Sequence, residues 1–174
     1  MNEIELLRNQ LATERRRVRE VASACAAVHR ADPAMCDPEA LATLRGACTA
    51  YLGCVLDWFD RRDERLRELS APRPGGDAGP ALEAALNLSG RGRAALAKLV
   101  GEGPTRDSWQ VLAGFIDGPW DTRRGAIEAA LATNPRVADW RAFSGIDADS
   151  VWQERALYAR FRAALPAGSR PGPA

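Results

Sequence analysis

Apolar residues recur along most of this chain at alternating steps of three and four, the spacing that aligns side chains on one face of an α-helix. Ile4, Leu7, Leu11, Val18, Val21, Cys25 and Val28 form such a seam at the start. One seam position is polar. Glu14 falls between Leu11 and Val18, and a carboxylate buried there must be paired, hydrogen-bonded or neutralised. Arg15, Arg16, Arg17, Arg19 and Glu20 read as the solvated outer face. The helix ends near Arg30, and the second Asp-Pro of ADPAMCDPEA supplies Asp37 as N-cap and Pro38 as the first residue of the next helix.

In that second helix Cys48, Tyr51, Leu52, Val55, Leu56, Trp58 and Phe59 are core positions. The mostly charged run from Asp60 to Glu68 keeps Leu66, and beyond it Leu69, at the same spacing. A short connection makes the first two helices antiparallel, which sets Glu14 roughly level with Val55 and within reach of Tyr51, Trp58 or Arg62. The expectation is that one of those three holds the carboxylate.

SAPRPGGDAGP reads as a loop. From Pro80 to Val100 the apolar pattern is weaker and is split by SGRG, which predicts two short helices, the second capped by Ser89 and closed by Gly101. Trp109, Leu112, Phe115, Ile116, Trp120, Ile127, Ala130 and Leu131 mark the face of a fourth long element. Gly118-Pro119 should kink it or make it stop and restart, because proline lacks the N–H and clashes one turn back. Asn134-Pro135 ends it. Val137, Trp140 and Phe143 predict a short helix, and a last helix runs from about Asp149 to Leu165, with Ser150 and Gln153 at capping-box spacing. No alternation of β-branched residues argues for a sheet. The predicted fold is all-α: an antiparallel bundle of about four main helices with short helices and a C-terminal helix. Residues 1–166 form one domain, and 167–174 form a disordered tail.

Composition narrows the function classes. In 174 residues, 24 basic and 23 acidic side chains give a net charge of +1, so no overall field draws the chain to nucleic acid or an anionic membrane. MNEIELLRNQ lacks the basic patch and apolar run of an export signal, and no apolar stretch is long enough to span a bilayer. The reading is a soluble cytoplasmic protein with reduced cysteines.

Recognised chemistries find few residues to work with. Metal-carrying bundles of the hemerythrin-like and ferritin-like kinds need several histidines or paired Glu-x-x-His, and the chain has only His29. That comparison survives only as a bundle stripped of its metal ligands. Cys25 and His29 lie four apart on one helix and could meet Cys36 and Cys48 in a zinc site. No Cys-x-x-Cys exists, however, and Cys25 already fits the seam, so buried thiols are the better reading. No nucleophile elbow, Walker sequence or dinucleotide fingerprint is present, and neither catalytic residues nor a cofactor are expected. SGRGR is better read as a surface loop than an anion site.

Two similar phrases remain, Trp58-Phe-Asp-Arg-Arg62 and Trp120-Asp-Thr-Arg-Arg124. Facing each other, they would make a pocket for an acidic ligand from Trp58, Arg62, Trp120 and Arg124 with Glu14 and Tyr51 nearby. Asp57 and Asp147 would then serve as further counter-charges. The plainer alternative makes the tryptophans core and the arginines surface ion-pair partners. Two functions follow: a non-catalytic bundle acting through protein contacts, as a homodimer or with another protein, or a bundle, or even an enzyme, that binds a small molecule or anion. A polar-lined internal cavity discriminates between them.

Overall fold

The computed structural model describes residues 3–30, 37–69, 79–102, 106–133 and 148–166. Five helices account for nearly all of them: α1 Glu3–Arg30, α2 Pro38–Leu69, α3 Gly79–Glu102, α4 Arg106–Thr133 and α5 Ala148–Ala164. Among the described residues there is no strand, and the fold is all-α. The short helix expected around Trp140 and the 167–174 tail lie outside the described residues.

Asp37 caps α2 as expected. Its Oδ1 accepts the Glu39 N–H at 3.0 Å and its carbonyl accepts the Leu41 N–H at 3.0 Å. The missing donor of Pro38 costs nothing at a helix start, where first-turn N–H groups have no intrahelical partner.

α2 is the element on which the others assemble, for it contacts α1, α3, α4 and α5. Its expected seam from Cys48 to Phe59 is buried throughout, together with Leu44, Ala47 and Leu66. On α1, Leu7, Val18 and Val21 are buried and Ile4 and Leu11 half-buried. Two ion pairs fix the direction of α1 against α4: Arg8 pairs with Glu128 and Arg15 with Asp121, so the chains run antiparallel. Arg17 meets Glu154, and Glu20 meets Tyr158 and Arg162, so α5 runs parallel to α1.

α3 does not break at Ser89-Gly-Arg-Gly; one helix carries through it and past Gly101 to Glu102. The two glycines cost about 1 kcal/mol each. Burial of Leu96 and Leu99 in the core cluster they share with α2, at about 1.5–3 kcal/mol per side chain, outweighs that cost. Arg93, facing Asp57 and Asp60 of α2, pins the same stretch. α4 likewise neither stops nor restarts at Gly118-Pro119. A proline removes one ladder bond, and the helix is held on both sides of it, by Trp109 and Leu112 before and by Arg123, Ile127 and Ala130 after. α5 begins at Ala148, which places Ser150 inside the helix and not at its cap.

Candidate functional site

The apolar interior is divided. One cluster holds Val18 and Val21 of α1, Leu44 to Phe59 of α2, Leu96 and Leu99 of α3, Trp109 and Leu112 of α4, and Phe161 and Leu165 of α5. The other holds Leu7 of α1, Leu66 of α2 and Ala126, Ile127, Ala130 and Leu131 of α4. On each of the three helices that contribute to both, a buried charge sits in sequence between the two sets: Glu14 on α1, Arg62 and Asp63 on α2, Arg123 on α4. Helical spacing puts these residues on the seam itself, so they must enter the core as their apolar neighbours do.

The belt is internally paired. Arg62 donates from Nη1 to Glu14 Oε2 at 2.5 Å and from Nη2 to Oε1 at 3.1 Å, and Gln10 adds a third donor to Glu14 at 3.1 Å. Arg123 donates from Nε to Asp63 at 2.8–2.9 Å, and its Nη2 lies 2.8 Å from the same carboxylate. Both guanidiniums also lie over rings, Arg62 at 5.9 Å from the Trp58 centroid and Arg123 at 4.7 Å from that of Phe59. Arg62 Nε is buried without a hydrogen-bond partner, on a residue only 6% exposed.

Beside the belt lies a cavity of about 340 Å³ between α1, α2 and α4. Leu11, Ala12, Phe59 and Ile127 give it apolar walls, and Arg8, Arg15, Arg62, Arg123 and Arg124 bring five guanidiniums to it, with Asp63 and Glu128. Arg8 donates from Nε to Glu128 at 2.9 Å, and this hydrogen bond holds the Glu128 carboxyl below its ordinary pKa, with Arg124 a lesser contributor.

A second polar group joins α1, α2 and α5. Glu154, 3% exposed, accepts from Tyr51 Oη at 2.8 Å and from Arg17 at 2.6 Å. Burial first, and then the adjacent carboxylate, pushes the Tyr51 phenol far above its usual pKa. Tyr158 donates to Glu20 at 2.5 Å. The reading of Arg15, Arg17 and Glu20 as solvated is therefore corrected: α4 covers one flank of α1 and α5 another, leaving Arg16 and Arg19 as the exposed members.

Of the residues singled out in the sequence, Glu14 and Arg62 are together, and Arg62 is the partner chosen from the three offered. Arg124 lines the cavity. Tyr51 serves Glu154 instead, and Trp58 is core beneath Arg62 and not a cavity wall. The side chain of Trp120 lies outside the described residues, as do Asp147 and, of the thiolate set, Cys25, His29 and Cys36. Cys48 is a free thiol in the larger cluster, and Asp57 is exposed opposite Arg93. Among the described residues no group of three or more potential ligands could hold a metal, and no helix is long and apolar enough to cross a membrane.

Sequence reading missed Arg8, Arg15, Phe59 as a wall, Asp63, Arg123 and Glu128. Two of them had a signal: Phe59, Asp63 and Leu66, and likewise Arg123, Ile127 and Ala130, follow three- and four-residue steps that mark Asp63 and Arg123 as interior. In comparison with known proteins, no family model, no curated protein and no solved structure matches the chain.

Proposed function

We propose that this protein binds a small acid with an apolar body in the cavity between α1, α2 and α4. The observation that carries the reading is the cavity itself, about 340 Å³ with apolar walls and five arginines. Ligand sites commonly combine apolar walls with a few placed polar groups, and a cluster of guanidiniums suits a ligand carboxylate. The alternative, action through protein contacts as a homodimer, is supported less. Among the described residues the large exposed apolar side chains Leu6, Val100, Val111 and Trp152 sit each on a different helix and define no single face by themselves.

Thermal unfolding with octanoate tests the proposal. A ligand at a hundred times its Kd stabilises the folded state by about 2.7 kcal/mol, which raises Tm by roughly 5–10 °C in a chain of this size. Ala12→Phe, which places a ring at the cavity wall from a solvent-facing helix position, is expected to remove that shift while leaving the unliganded Tm within a few degrees of wild type. A shift equal in both proteins would place the binding elsewhere.

A further inference from the structure

Resting on the cavity as the binding site, we infer that it takes an acyl chain tail-first, with the acid end held at a window between α1 and α4, so that the ligand class runs from free medium-chain acids to conjugates made through their carboxyl carbon. The lining residues divide by exposure. All three that α2 supplies, Phe59, Arg62 and Asp63, are buried, as are Arg123 and Ile127 of α4, and these form the floor. Arg8 and Ala12 of α1 and Arg124 of α4 are exposed, and with half-buried Leu11, Arg15 and Glu128 they form the rim. Two ion pairs tie α1 to α4 at that rim, Arg8 to Glu128 and Arg15 to Asp121. On each helix the pairs stand two turns apart, about 10 Å. Ala12 and Arg124 lie between them, so the opening is framed by the pairs and edged by a methyl group on one side and a guanidinium on the other.

Burial decides which end of the ligand goes in. At the floor Arg62 is hydrogen-bonded to Glu14 and Arg123 to Asp63. A ligand carboxylate there would be a third anion stripped of water beside two others, or would have to break a buried pair, and both are unfavourable. At the window the same group keeps part of its hydration and meets Arg124 and Arg8. Its rival for Arg8 is Glu128, but these two side chains are 50% and 43% exposed, and a pair so open to water holds little net energy and is readily exchanged. The tail is left to Leu11, Phe59 and Ile127, which take it out of water with no charge to compensate. At about 30 Å³ for each water-sized group, about 340 Å³ holds roughly ten groups, enough for an octyl chain. With the carboxyl carbon at the window, a substituent on it extends into solvent and not into protein.

Isothermal titration of the full chain at about pH 8, where carboxylates are ionised, with octanoate, N-octanoylglycine and suberate tests this. The three share the chain, but N-octanoylglycine extends its acid end and suberate adds a second carboxylate at the tail. The expected result is N-octanoylglycine within about threefold of octanoate and suberate weaker by about tenfold or more, with Arg124→Gln weakening octanoate by about fivefold. If suberate matches octanoate, N-octanoylglycine fails to bind, or Arg124→Gln leaves octanoate unchanged, while Ala12→Phe still abolishes octanoate binding, the tail-first inference falls and the cavity reading stands. If octanoate does not bind, both fall.

Discussion

Tyr51 is a hydrogen-bond donor that the fold keeps protonated. Its hydroxyl is buried against the Glu154 carboxylate, so ionisation would place two negative charges side by side, and the phenol pKa is raised above its ordinary 10.0. A raised folded-state pKa means the contribution is whole below the unfolded value and is lost as pH climbs past it. Tyr51→Phe should therefore cost about 1–3 kcal/mol near neutrality, because Glu154 keeps only Arg17. The gap to wild type should then shrink between about pH 10 and about pH 11, since wild type must retain a proton that the variant does not need. Urea midpoints at about pH 8 and about pH 11 check it. Tyr158, also raised, contributes the same slope to both proteins and drops out of the difference. A gap that stays constant would mean the phenol is not held against Glu154.

Helix continuity was read well where local chemistry and packing agree, and badly where they conflict. α1 and α2 end and begin where the sequence puts them, because the Asp37-Pro38 cap stops the chain at a place where the apolar seam also stops. In α3 the local signal is Ser-Gly-Arg-Gly, which argues for a turn, and the opposing signal is long-range: Leu96 and Leu99 enter the core cluster that α2 carries, and Arg93 meets Asp57 and Asp60, more than thirty positions earlier in the chain. Nothing within four residues reveals that partner, so glycine punctuation is over-weighted in a reading by segment. The continuous helix has a testable consequence. A Cβ at Gly90 meets nothing within 4 Å, so Gly90→Ala should stabilise by about 1 kcal/mol through helix propensity alone, and raise Tm by roughly 2–4 °C. A turn at that position would instead make alanine neutral or destabilising, and calorimetry distinguishes the two.

At the scale of the whole molecule, the question is why a helical protein divides its apolar interior with a charged belt. Glu14 and Arg62 were visible in the sequence as polar residues on apolar seams. The short connection put Glu14 within reach of Tyr51, Trp58 or Arg62 without choosing among them, and it gave no hint of the pairing of Asp63 with Arg123, because the register of α4 against α2 is not set by any local connection. The belt is a poor stability device. Desolvating two charges offsets most of their attraction, and replacing a buried pair by apolar residues is commonly neutral or stabilising by 1–4 kcal/mol, whereas removing one partner costs about 3–5 kcal/mol. Glu14→Gln should therefore lower the urea midpoint steeply by stranding the Arg62 guanidinium, with the slope unchanged. Glu14→Leu combined with Arg62→Met should restore or exceed wild-type stability. If the belt, and not the window, exists to receive a ligand's acid, that stable double variant has lost the Arg62 guanidinium from the cavity lining and should show a much smaller octanoate shift than wild type. Full retention of the shift would detach the belt from binding and leave the cavity walls and Arg124 to account for it. A double variant as unstable as Glu14→Gln would instead show that the pair, and not apolar filling, is what α1 and α2 need at that level.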